Sequence, residues 1–165
     1  PGNAITDKTP ELIEACKVSL LDRGFGQKSG ANGSGWGKAN KVNLWARAKD
    51  GNRAYSMLRE LINKNIAPNL WDFHPPYQMD GNCGYTSGVC EMLCYSSDDI
   101  IELLPALPEE WKNGSVKGLC ARGGYSLDFT WENGEIKSLS VYSSCGKKTA
   151  RIKTGDEIKT VKTVG

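Results

Sequence analysis

The chain has 165 residues, 24% charged and 39% apolar, with a formal net charge of +2. This length fits one domain or two small ones around a real core. Lys and Arg are interspersed with acids, which gives no electrostatic case for nucleic acid, and no apolar run reaches the roughly 18 residues of a membrane span or has the form of a signal peptide.

Residues 1–8 read as a lead-in. Thr9-Pro10-Glu11 has the pattern of a helix start, with a hydroxyl cap, Pro at the first helical position and an acid in the first turn. Leu12, Ile13, Cys16, Leu20 and Leu21 follow at helical spacing, and Arg23-Gly24 closes the run. Residues 24–37 hold six glycines, either a linker or a loop over a site. Lys38–Lys49 is helical with Val42, Trp45 and Ala46 on one side, and Asp50-Gly51 breaks it. A third helix spans Asn52 to about Asn63, with Ala54, Tyr55, Leu58, Leu61 and Ile62 inward. So short a turn sets these two helices antiparallel.

The stretch Asn69–Gly84, reading Asn-Leu-Trp-Asp-Phe-His-Pro-Pro-Tyr-Gln-Met-Asp-Gly-Asn-Cys-Gly, organises the chain. A connection this long and polar is usually functional. Pro75 and Pro76 stiffen it, while Gly81 and Gly84 allow a sharp turn. Asp80, at the mouth of the next helix, is either a reacting carboxylate or a helix cap. That fourth helix covers Tyr85–Tyr95 with Val89, Met92 and Leu93 inward, and Gly84 and Gly88 point to close packing. Trp36, Trp71 and Tyr77 lie in loops, where ligand contact and packing are equally open; Trp45, Phe129 and Trp131 read as core.

From Asp98 the pattern turns to strands. Ile100–Leu104 and Val116–Arg122 are β-like, Tyr125–Trp131 alternates, Asn133-Gly134 joins it to Ile136–Tyr142, and Gly155-Asp156 joins Thr149–Thr154 to Glu157–Val161. The fold class is α+β, helices first. Cys83, Cys90 and Cys94 share one helix face, but no CxxC knuckle or second histidine accompanies them. They are expected to be buried as small hydrophobes, with no metal bound.

Gly35-Trp36 with Asn43-Leu-Trp-Ala-Arg47 and Asp50-Gly-Asn-Arg-Ala-Tyr55 resembles one hallmark of glycoside hydrolase family 95, the α-L-fucosidases acting mainly on α-1,2 linkages. Asn69-Leu70, His74-Pro-Pro76 and Gln78-Met-Asp-Gly-Asn82 resemble a second. Leu103–Pro108 with Trp111, Gly114–Gly118 and Arg122-Gly-Gly124 resembles the stretch beyond the catalytic domain.

The resemblance implies that residues 1–97 are the last helices of an (α/α)6, six-hairpin barrel and that 98–165 form an antiparallel β domain. It implies release of terminal L-fucose from fucosylated glycans with inversion. That chemistry needs a general acid and a base-activated water, and no cofactor. In the family the base-side aspartate polarises an asparagine that contacts the water, and it matches Asp80. His74, Asn82 and Trp36 match surrounding positions and are expected to bind substrate. The family's acid and its asparagine pair fall upstream of the matching segment. The chain is therefore expected to be a C-terminal piece, inactive alone, whose partner is the missing N-terminal part of the barrel. Lys38 stands where the family carries an arginine. Export is expected from the substrate class. A non-catalytic carbohydrate-binding module, or a purely structural fragment, is the alternative.

Overall fold

A computed structural model describes residues 4–24, 35–74, 76–97 and 99–164. Among them are four helices, α1 (Pro10–Arg23), α2 (Trp36–Arg47), α3 (Gly51–Asn65) and α4 (Met79–Leu93). Seven strands follow: β1 (Cys94–Ser96), β2 (Ile101–Leu103), β3 (Gly114–Ala121), β4 (Tyr125–Glu132), β5 (Glu135–Ser143), β6 (Thr149–Thr154) and β7 (Glu157–Lys162).

Helices α2 and α3 run antiparallel, as the short turn requires. Lys38 at the start of α2 reaches Asn65 and Glu60 near the end of α3, while the guanidinium of Arg53 at the start of α3 lies over the Trp45 ring. Helix α4 packs along α2 through glycines at helical i+4 spacing. A Cβ at Gly84 would lie 2.9 Å from both Ala39 and the Trp36 ring, and one at Gly88 2.6 Å from Val42. Only glycine lets the two backbones come this close. Val42, Trp45 and Ala46 are buried with Ala54, Met57, Leu58 and Met92 in one core. Ile62, expected inward, is exposed, and Met57 takes its place in the core.

Helix α1 keeps only Leu20 buried; Leu12 and Leu21 are exposed. Its cap also differs from expectation. The Thr9 hydroxyl accepts the N–H of Thr6 at 3.0 Å and leaves the helix amides uncapped. At its other end the Lys41 ammonium donates to the carbonyls of Gly24 (2.8 Å) and Arg23 (3.3 Å), which satisfies acceptors the helix leaves open. Burial, with the Arg23 and Lys38 charges, holds this lysine below its ordinary pKa.

Strands β3, β4 and β5 form an antiparallel sheet, with the Asn133-Gly134 hairpin where its sequence signal lay. Leu127, Phe129 and Trp131 of β4 point into the second core with Ile101, Leu103, Val141 and Ile152. The second sheet, ordered β1-β2-β6-β7, is not wholly antiparallel as expected, because β2 pairs parallel with β6. A long excursion through the three-stranded sheet separates these strands, so no hairpin constrains their direction.

Two further differences concern α4. It ends at Leu93, because Cys94–Ser96 pairs with Ile101–Leu103 and that ladder overrides helical propensity. The cysteines on its face are not uniformly buried. Cys83 and Cys90 are exposed, and only Cys94 is packed, its thiol pushed up to about 12 by burial first and by nearby acids second. All six cysteines are free, and no metal-holding group of side chains occurs among the described residues.

The helices meet the sheets through Tyr55, edge-on to Trp111 at 5.6 Å, and through Asn52, which exchanges hydrogen bonds with Glu109. An ion-pair cluster adds to this. Nearly buried Glu102 on β2 binds Lys49 at 2.9 Å and Lys153 at 3.2 Å, and Asp7 binds the same two lysines. Burial works against the Asp7 charge, but Lys153 and Lys49 outweigh it and hold the carboxyl below its ordinary range. Its contribution is therefore present above that range and lost as pH falls through the lowered value. Glu102→Gln leaves the two lysines sharing only the Asp7 carboxylate, and is expected to cost about 2 kcal/mol, read as a Tm several degrees lower by scanning fluorimetry. An unchanged Tm would mean the cluster contributes nothing.

Candidate functional site

The site forms where the α3–α4 connection folds back onto the starts of α2 and α4. The chain leaves α3 and reverses at once: Leu70 N–H donates to Ala67, Ala67 N–H donates to Trp71, and Ile66 bridges antiparallel to Asp72. Leu70 takes a φ of +69° to make this reversal. The Asn69 side chain supports it by accepting the Trp71 N–H at 3.2 Å, the local bond this residue type makes in turns.

Two amide side chains then clamp the loop. Asn82 accepts the Asp72 N–H at 2.8 Å and donates to the Leu70 carbonyl at 2.7 Å. Gln78 gives its own N–H to the Asp72 carbonyl at 3.0 Å, and its Oε1 accepts the Trp36 N–H at 2.7 Å. The second clamp needs Gly35, whose φ is +56° and where a Cβ would run into Gln78 Oε1 and lie 3.3 Å from the His74 Cβ. The four bonds, each worth about 1 kcal/mol net, join the loop to α2 and α4.

Asp80 lies in the first turn of α4, which begins at Met79, six residues before the sequence pattern placed it. Gly81 and Gly84 are thus helical, and the sharp turn expected of them does not exist. The close approach does: Gly81 admits the Asp72 carboxyl and Gly84 the Trp36 ring. Asp80 does not cap the helix, because Gln78 holds the cap position and no side chain bonds the first amides. Its carboxyl is exposed, and its negative charge is favoured at a helix N-terminus.

The sequence-derived residues fall together on this surface, in different states. Asp80 and Gly84 stand one turn apart on a single helix stripe, which brings the carboxyl to the end of α4 that Trp36 packs against. Trp36 opens α2, where a loop was expected, and is 44% exposed. His74 is half-buried beside Gly35. Asn82 is turned inward, its amide oxygen and nitrogen both used by the loop. Trp71 and Tyr77 are exposed and tilted against each other at 4.9 Å between centroids, a wide aromatic surface. Lys38 is buried, donating to Asn65 Oδ1 at 2.8 Å. The glycine-rich residues 25–34, and with them Gly33 and Ser34, lie outside the described residues.

Sequence reading missed Gln78 and Asp72. Gln78 was visible only as part of a motif. Asp72 is 0% exposed and lies within Leu-Trp-Asp-Phe, and an acid inside an apolar run was the available signal. The site offers one exposed carboxylate and hydrogen-bonding and aromatic groups. An exposed carboxylate together with aromatic faces is what one side of a hydrolytic sugar site requires.

Comparison with known proteins places residues 1–93 on the glycosyl hydrolase family 95 catalytic domain and residues 95–164 on the glycoside hydrolase family 95 C-terminal domain. Alpha-L-fucosidase 2 of Arabidopsis thaliana is 35% identical over 156 residues, 87% of this chain and 18% of that protein. Probable alpha-fucosidase A of Aspergillus oryzae is 35% identical over 139 residues, 74% of this chain and 19% of that protein. The Aspergillus niger protein of the same name is 31% identical, covering 86% and 20%. The chain spans about a fifth of the length of these relatives.

Proposed function

The chain belongs to glycoside hydrolase family 95, and on that premise we propose that it supplies the base-side wall of an inverting α-L-fucosidase site. The remaining walls, with the general acid, would come from other parts of a longer protein. The observation that carries this reading is Asp80: an exposed carboxyl in the first turn of a helix whose start is clamped to the preceding loop, on the helix stripe of Gly84, which Trp36 packs against.

Inverting hydrolysis needs a carboxylic acid at the leaving oxygen and an activated water on the opposite ring face, with room between the two groups for that water. Asp80 would act on the water side by polarising an asparagine supplied by the rest of the barrel. The negative charge of Asp80 draws on that amide, raises electron density at its oxygen and so helps it accept a water proton. His74 would hold a sugar hydroxyl, and Trp36 would pack on the apolar face of the deoxy sugar. Asn82, with its amide already committed, would serve by holding the loop in place. The exposed side chains Leu12, Leu21, Leu44 and Ile62 would be covered by the remaining barrel helices, a patch otherwise prone to association.

The test is proton NMR of the complete enzyme acting on lactose that bears an α-1,2-linked fucose. The expected first product is β-L-fucose, with the α-anomer arising later by mutarotation. Appearance of α-L-fucose first would overturn inversion, and a preference for α-1,3- or α-1,6-linked fucose would overturn the linkage.

A further inference from the structure

The proposed chemistry leaves one acid of the loop unused, and it is the least exposed polar residue of the protein's described core. Asp72 is 0% exposed, and among the described residues neither Oδ1 nor Oδ2 has a hydrogen-bond partner of ordinary geometry. Its backbone, in contrast, is held on both sides. The N–H is bound by Asn82 and the carbonyl by Gln78, the residues two positions after and two before Asp80. The Oδ2 atom rests against Gly81, the residue next to Asp80, where a Cβ would overlap it. The clamp that fixes Asp72 therefore also fixes Asp80.

A carboxyl in this position is driven toward its neutral form. Burying the charge costs several kcal/mol unless donors replace water. Four groups act on it: His74 from its own loop, Asp80 from α4, Lys38 from α2 and the backbone N–H of Gly35. Burial raises the pKa most, the His74 charge opposes that, the Asp80 charge adds to it, and Gly35 and Lys38 pull it back, leaving it above the ordinary carboxyl value. An amide or apolar side chain would cost less here, and unsatisfied buried polar groups concentrate at functional sites.

Resting on the reading of Asp80 above, we propose that Asp72 is a positioning residue for Asp80: its buried carboxyl fills the gap at Gly81, its clamped backbone fixes the first turn of α4, and its burial favours leaving the negative charge of the site on the neighbouring exposed carboxyl. While Asp72 is neutral, the field at the water side is that of one carboxylate. Once it ionises, a second negative charge enters beneath the first turn of α4, repels the first and strains the clamp.

The stability sign follows. The folded pKa of Asp72 lies above the ordinary 3.8, so the unfolded chain gives up this proton first. The folded state loses stability as pH rises from that value through the raised one, and the penalty is complete above it. Asp72→Asn removes the penalty.

The experiment compares the complete enzyme with its Asp72→Asn, Asp72→Ala and Asp80→Asn variants. Asp72→Asn is expected to have a higher Tm than the parent at pH 8, a gain that vanishes near pH 3.8. Its kcat/KM profile is expected to change shape above pH 3.8, because one ionisation is gone. Asp72→Ala shares the altered profile but not the Tm gain, since it opens a cavity. A pH profile for Asp72→Asn superimposable on the parent's, or a lower Tm at pH 8, overturns the proposal. If Asp80→Asn keeps full turnover, the reading of Asp80 fails and this inference falls with it. If Asp80→Asn is dead while the Asp72→Asn profile is unmoved, only this inference fails.

Discussion

Asp80→Asn in the complete enzyme is expected to lower kcat on an α-1,2-fucosylated substrate by about two to three orders of magnitude, with KM changed only a few-fold. The amide has the shape of the carboxylate but not its charge, and in the proposed mechanism the charge acts only as the water develops nucleophilic character. Loss of an interaction made in the transition state lowers kcat and kcat/KM together. The fold should survive. Asp80 is exposed, does not cap α4 and contributes only a surface charge near the helix start. Removing that charge costs about 0.3–1 kcal/mol. Steady-state kinetics beside a thermal melt would measure both quantities. Unchanged turnover would remove Asp80 from the chemistry. Lost turnover with a collapsed melt would place it in the structure instead. Retained affinity for fucose in a parent that releases no product would favour a binding module over a hydrolase.

Much of this architecture was legible in the chain. The Val42, Trp45 and Ala46 stripe, the alternation of Leu127, Phe129 and Trp131, and the Asn133-Gly134 turn are local patterns whose periods match the elements they form. The start of α4 was not legible. Met-Asp-Gly-Asn-Cys-Gly carries two glycines and an Asn, all poor helix formers, and reads as a turn. It is helical because α2 accepts those glycines as contact points, a tertiary effect absent from any local window. The direction of β2 against β6 was hidden for a related reason, since no short connection ties them. Lys38 and Lys41 show the opposite case. They lie at helical spacing from Val42 and Trp45, on the inward side, and both are buried. The pattern was present, but the prior for lysine is exposure.

The candidate site divides in the same way. Asp80, His74 and Trp36 were found through motifs; Asp80 and Trp36 are exposed, and His74 is half-buried. That Asn82 holds the loop could be learned only from the hydrogen bonds themselves, because an asparagine in a motif looks the same whether it faces a ligand or a backbone.

Gly81→Ala is expected to destabilise the complete enzyme by about 2–3 kcal/mol, against the usual trend. In an exposed helix interior the same change stabilises by about 1 kcal/mol, because alanine loses less backbone entropy. Here the new methyl would lie against Asp72 Oδ2, 2.6 Å from its Cγ and 3.2 Å from its Cβ. The aspartate cannot retreat, since Asn82 and Gln78 hold its backbone from both sides. Either the loop detaches from α4 or the helix start unwinds, and both displace Asp80. The prediction is made specific by a double-mutant cycle. Asp72→Ala removes the atoms the methyl would strike, so in that background Gly81→Ala should be neutral or stabilising, a coupling of about 2–3 kcal/mol between adjacent sites. Melts of the four proteins measure it. Equal losses in both backgrounds would mean that Gly81 is required for backbone freedom alone, and that the contact between the buried carboxyl and the helix carrying Asp80 is incidental.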